Sequence, residues 1–155
     1  MHSFRFLFDL PSYQAEQMPQ KVCAALWRQR IRDEISSVKL RDLTHRLAVR
    51  LLQMGIGKGD RVIVIADHYS ILWLAADMAI MACGAVSVPL HIPLRSGELE
   101  RITDRLEPKL ILKTTLQEWD SSVVQVPCIT LESLTESQKP ISEIDLEQLR
   151  VIREG

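Results

Sequence analysis

Between residues 40 and 54, apolar side chains recur at steps of three and four. Leu40, Leu43, Leu47, Leu51 and Met54 form one stripe, and Arg41, His45, Arg46, Arg50 and Gln53 fall mostly opposite it. That spacing predicts a helix with one buried face. Gly55, directly after the stripe, suits a left-handed C-cap. Past the turn Gly57-Lys58-Gly59-Asp60 the pattern changes. Val62 to Ala66 is apolar at every position, as in a central parallel strand covered on both faces.

Ser70 is placed to cap a second helix, Ile71 to Cys83, which carries one charge, Asp77, and ends at Gly84. Its thirteen residues fall short of the roughly 20 that a bilayer span requires, so a buried helix is expected. Ala85 to Leu90 predicts the next strand. Pro89 has no N–H for a ladder, so pairing stops there or runs along an edge. Ser96 is expected to cap a third helix, with Glu98 and Glu100 in its first turn. Leu99, Ile102 and Leu106 would be its buried stripe and Pro108 its stop. Leu110-Ile111-Leu112 reads as a third strand. Val126 to Leu131 is a fourth candidate, after a polar stretch around Trp119 to Ser122. This alternation predicts an α/β fold with a mainly parallel sheet and right-handed crossovers.

The two ends are less patterned. Met18 to Ile31 is expected to be helical, with Val22, Ala25 and Leu26 on one side and Trp27 near them; Ile35 to Leu40 is expected to be briefly extended. A weak closing helix is expected from Asp145 to Arg153. The organisation is then a lead-in with an N-terminal helix (1–39), an α/β body (40–131) and a polar tail with a weak helix (132–155).

Composition narrows the function classes. Nineteen basic residues against twenty acidic ones give a formal charge of -1, so no basic field favours nucleic acid. Cys23, Cys83 and Cys128 are far apart, without a C-x-x-C pair, which argues against a zinc site or a disulfide framework. The opening MHSFRFLFDLP is interrupted by Arg5 and Asp9 and lacks the form of a signal peptide. No transmembrane segment is expected, and cytoplasm is the default location.

Candidate chemistry is sparse. Gly55 to Asp60 has the glycines of a phosphate loop, but such a loop leaves a strand and opens a helix, aiming free N–H groups at the anion. Here the glycines leave a helix and enter a strand, so a cap and turn is the simpler reading. Asp67 and His68 follow the first predicted parallel strand, at the edge where open α/β sheets bind ligands; a polar loop capping the next helix explains them without a ligand and is the simpler reading. His91, after the second such strand, has no paired nucleophile or carboxylate in sequence. Asp77, on an apolar helix, calls for a partner such as an arginine or a backbone donor. Cys83 reads as a small buried residue, and Trp27, Trp73 and Trp119 as core or interface packing.

Three segments together resemble the amino-terminal region of the adenylate-forming (AMP-binding) superfamily of acyl-CoA synthetases, adenylation domains and luciferases. LRDLTHRLAVRLLQMGIGKGD (40–60) is similar to the family's helix and its GI-x-x-GD-x-V turn. WLAADMA (73–79) is similar to the W-x-x-A-D-x-A of long-chain acyl-CoA synthetases, and GAVSVPL (84–90) to the GA-V-x-VP strand after it. A weaker echo is SGELERITDRLEPKLIL (96–112). The resemblance covers about residues 15–115. Departures are His68-Tyr69-Ser70-Ile71-Leu72, where the family often has Asn with a following Pro-Glu, and Ser37, where it usually has an aromatic.

The resemblance implies a ligase that joins a fatty acid to CoA through an acyl-adenylate, using ATP and magnesium. It also implies a Ser/Thr/Gly-rich loop ending in Lys, an acidic residue for magnesium, an Asp for the ribose and a lysine on a mobile C-terminal domain. None has a counterpart in residues 1–155, and all are expected beyond Gly155. Accordingly no catalytic, cofactor-binding or metal residue is assigned, and the chain alone is expected to be inactive and to hold no cofactor. The alternative is a non-catalytic module that self-associates, or binds a partner or the missing C-terminal portion, through apolar surface uncovered on Val62 to Ala66 or Ile71 to Cys83. A third reading is a small doubly wound domain that binds a nucleotide at Asp67 and His68.

Overall fold

The uninterrupted apolar run becomes the centre of the sheet. In this computed structural model the described residues are 6–28, 30–66, 70–91, 93–94, 97–114 and 124–136, with 147, 149 and 151. Strand β3 (Arg61–Ala66) lies between β4 (Val86–His91) and β5 (Leu110–Lys113), and β6 (Cys128–Thr130) pairs beyond β5. The order is β4-β3-β5-β6 with every pair parallel. Val62, Ile63 and Val64 are wholly buried, each such side chain contributing about 1.5–3 kcal/mol.

Alternate residues of these strands serve opposite faces. Val62, Val64, Leu110 and Leu112 pack with helices α2 (Ser37–Gln53), α3 (Ile71–Ala82) and α5 (Leu131–Glu136). Ile63, Ile65 and Ile111 pack with Leu99 and Ile102 of helix α4 (Glu98–Leu106). The cause is topological: β3 to β4 and β4 to β5 cross in opposite directions, and two right-handed crossovers of opposite direction put their helices on opposite faces.

Helices α2 and α3 start and stop by the same chemistry. Ser36 and Ser70 hydroxyls accept from the Lys39 and Trp73 amides at 3.5 and 2.9 Å. Each helix ends in a Schellman turn. Gly55, at φ +80°, donates to Leu52 O (2.8 Å) while Ile56 donates to Leu51 O (2.9 Å). Gly84, at φ +73°, donates to Met81 O (2.9 Å) while Ala85 donates to Ile80 O (3.2 Å). Strand β4 is an edge strand, as Pro89 requires. The Val86 amide points inward to Asp60 O at 2.7 Å, and alternation along a parallel strand puts position 89 on the outer side, where a missing N–H costs no ladder bond.

The lead-in differs from expectation. Helix α1 occupies Leu10–Gln17, and the segment expected to be helical forms a hairpin of β1 (Val22–Arg28) and β2 (Ile31–Ser36). Pro11 sits in the first turn of α1, where a proline suits a helix. Met18 precedes Pro19 and has left the helical region at φ -144°, ψ 66°, which ends α1. Only Ile35 and Ser36 of the expected extended piece are strand. Ser37 begins α2 and is buried, its hydroxyl and amide both donating to Lys21 O at 3.2 and 3.0 Å. Trp27 is not a core residue: it is 71% exposed.

Further along, Gly97 at φ +71° stands at the N-cap position of α4, and Ser96 lies outside the described residues. Leu99 and Thr103 are the buried residues of α4, Ile102 and Leu106 being half-buried. The fourth strand is shorter than expected, and Leu131 is instead the buried first residue of α5. Of the closing helix, Glu147, Leu149 and Val151 are helical, and Leu149 joins the core. The apolar exposure expected for Val62 to Ala66 is not found, because both faces of β3 are covered. No helix among the described residues is long and apolar enough to cross a membrane.

Candidate functional site

The topology makes the carboxyl edge of the sheet the first place to look for a ligand site. Helix α3, after β3, packs on one face of the sheet and Val124 and Val126, ahead of β6, on the other, as at the switch point of other open α/β sheets. Among the described residues that edge carries Ala66, His91, Lys113, Thr114 and Thr130. His91 Nδ1 is 3.2 Å from Ala66 O, and the Thr114 amide donates to Ile65 O at 3.3 Å. Thr114 is buried, whereas His91 is exposed. Asp67 and His68, the other residues weighed here, lie outside the described residues, as does Trp119.

The amino edge holds the glycine turn, and its amides are committed to the protein. Gly55 donates to Leu52 O and Gly59 to Gly84 O at 2.8 and 3.0 Å. Gly57 donates to the Asp60 carboxylate at 2.8 Å. That carboxylate is the anion the turn holds. It also accepts from Lys109 Nζ at 2.9 Å, and the same ammonium donates to Gly55 O at 2.5 Å. The Lys109 hydrogen bond, followed by the Gly57 amide, holds the Asp60 carboxyl below the usual carboxylate range. A phosphate there would meet a carboxylate and no spare donor from Gly55, Gly57 or Gly59. The turn does not fit ATP.

The remaining candidates are structural. Cys83 is buried, its thiol donating to Ala48 O at 3.3 Å, and burial pushes it up to about 12. Asp77 is half-buried on α3 and makes no hydrogen bond or ion pair among the described residues. Trp73 is half-buried against the larger core. No three His, Cys, Asp or Glu side chains among the described residues are grouped to hold a metal ion. Sequence reasoning missed two long-range contacts, Asp60 with Lys109 and Ser12 Oγ with His45 Nε2 at 3.2 Å. The second ties α1 to α2. Neither leaves a local pattern, since the partners are 49 and 33 residues apart.

The model of the AMP-binding enzyme family matches residues 12–152. The chain belongs to that family. An uncharacterized protein of Pseudomonas aeruginosa is 40% identical over 83 residues, covering 52% of this chain and 13% of that protein. Solved structures agree in fold. A fatty acid AMP ligase from Legionella pneumophila matches with a TM-score of 0.71 at 20% identity, over 88% of this chain and 26% of that one. O-succinylbenzoate Coenzyme A Synthetase from Bacillus subtilis, in complex with AMP, matches at 0.72 and 17%, over 86% and 34%. The N-terminal subdomain of Klebsiella oxytoca NpsA, in complex with 3-hydroxybenzoyl-AMSN, matches at 0.70 and 17%, over 90% and 34%. This AMP-binding family chain thus has the α/β fold of those adenylate-forming enzymes and spans about a quarter to a third of each solved chain. The expected resemblance and the expected parallel sheet both hold.

Proposed function

We propose that this chain is the amino-terminal scaffold of an AMP-forming acyl-CoA synthetase. In the complete enzyme a long-chain fatty acid is joined to CoA through an acyl-adenylate; residues 1–155 alone perform no adenylation. The observation that carries the reading is the family match over residues 12–152 in a chain whose superposition covers 26% of the fatty acid AMP ligase. The motifs WLAADMA and GAVSVPL favour a long-chain acid as substrate. Inactivity of the isolated chain is supported by the Gly55 to Asp60 turn, whose glycine amides are committed to protein acceptors. ATP, magnesium and CoA are accordingly assigned to parts of the enzyme other than these residues. The self-associating alternative loses its motive, because neither segment on which it rests, Val62 to Ala66 or Ile71 to Cys83, contains an exposed residue.

The test is ATP–pyrophosphate exchange by the purified chain with long-chain fatty acids and magnesium. No exchange above the protein-free blank is expected, and exchange that survives repurification would overturn the scaffold reading. The substrate is tested on the longer frame, if the DNA after the last codon encodes a Ser/Thr/Gly-rich loop ending in Lys. The enzyme from that frame should exchange fastest with long-chain acids; preference for an aryl acid would displace that assignment.

A further inference from the structure

The β1–β2 hairpin projects beyond the body it packs on. Its rungs pair Leu26 with Asp33, Trp27 with Arg32, and Arg28 with Ile31, and residues on alternate rungs share a face. Leu26 packs against the larger core. Ile31, two rungs farther out on the same face, is 70% exposed. The body therefore ends between them. On the opposite face Trp27 is 71% exposed, with the Arg32 guanidinium 5.9 Å from its ring centroid. These two are the most exposed large apolar side chains among the described residues.

Basic residues gather at the same place. Arg28, Arg30 and Arg32 fall within residues 27–32 and Asp33 and Glu34 follow directly, so residues 26–34 carry a formal +1 in a chain whose total is -1. Arg32 shares its charge with Glu34 at 2.5 Å; Arg30, in the turn at φ +74°, is exposed.

We infer that this tip inserts into the interface of an anionic lipid membrane. Two features select lipid over protein. A protein partner needs about 800 Å² per side for a stable interface, and two side chains on a narrow tip offer much less. A rigid partner would also cover one face of the hairpin, whereas Trp27 and Ile31 lie on opposite faces; a fluid medium surrounds both. Trp suits the boundary between acyl chains and headgroups, and arginines beside it meet anionic headgroups. The contact is peripheral and needs no turnover, so it stands or falls apart from the ligase reading.

The experiment is co-sedimentation of the full chain with phosphatidylcholine vesicles, with and without phosphatidylglycerol. The chain should pellet with the anionic vesicles, remain in solution with the neutral ones, and be released by salt. Arg30→Gln should weaken partitioning roughly fivefold, and the double variant Trp27→Ser, Ile31→Ser at least about tenfold. Because that variant changes exposed residues, its thermal midpoint should match the parent. As a second readout, brominated phosphatidylglycerol vesicles should quench a component of tryptophan emission that Trp27→Ser removes. Equal partitioning to neutral vesicles, or undiminished binding by the double variant, would overturn the inference. So would a vesicle-indifferent chain that dimerises through the tip and becomes monomeric on Trp27→Ser.

Discussion

At the amino edge of the sheet, bonds run between every neighbouring connection. Gly59 donates to Gly84 O, Val86 to Asp60 O and Lys109 to Arg61 O, and the Asp60 carboxylate joins the Gly57 amide to the Lys109 ammonium. At the carboxyl edge His91 Nδ1 contacts Ala66 O and the Thr114 amide donates to Ile65 O. The amino ends of β3, β4 and β5 are thus fixed by a shared network. Rigidity at one edge lets the other vary without loss of the sheet, which is how open α/β folds accommodate different ligand sites.

The largest effect expected is on Cys83, which lies beneath the amino edge. With burial pushing its thiol from 9.0 to about 12, thiolate at mildly alkaline pH falls about a thousandfold. Peptide mapping after alkylation should find Cys83 unlabelled in the native chain and labelled once denaturant unfolds it. Native labelling at a rate typical of a free thiol would mean that this edge opens readily. Next is Gly59→Ala. A Cβ there meets nothing within 4 Å, but φ is +84°, so the cost is conformational alone, about 1–2 kcal/mol in denaturant unfolding. An unchanged midpoint would show that the turn is not held as described.

The same contrast explains what was legible in the sequence. Strand β3 was readable because burial on both faces leaves no polar position between Val62 and Ala66. Helix α2 was readable because its stripe is punctuated by Gly55. The hairpin was not. Its residues Ala24, Ala25 and Leu26 favour a helix, only one face is partly covered, and its tight turn places Arg30 at positive φ with no Gly or Asn to announce it. Strand pairing across the molecule overrode local preference. For the site, helix-then-strand order was enough to set the glycine turn apart from a phosphate loop. The carboxylate that fills the turn was readable as Asp60, but its tie to Lys109 was not.

Asp60→Asn sharpens the comparison electrostatically. The folded carboxyl lies below its ordinary value of 3.8, chiefly through Lys109. The unfolded chain therefore takes up its proton first as pH falls, so the stabilisation is present above about pH 4 and disappears as pH drops through the folded value. The variant should be less stable than the parent near pH 7, and the two should converge once pH has fallen below the folded value. A difference that persists in acid would assign the effect to shape and not to charge. Added salt should shrink it at neutral pH, since the pair is partly exposed.

The smallest effect belongs to the carboxyl edge, where the comparison is most easily broken. His91 is exposed at the end of an edge strand, and its Nδ1 is 3.2 Å from Ala66 O. An exposed side chain at a strand end contributes little to packing, so His91→Ala should change unfolding free energy by less than about 0.5 kcal/mol. The reason is positional: a substitution at the amino edge disturbs three connections together, whereas His91 lies exposed at the end of an edge strand. If His91→Ala instead cost as much as Gly59→Ala, the carboxyl edge would be a structural clasp like its counterpart. The case for seeking a ligand there would then go with it.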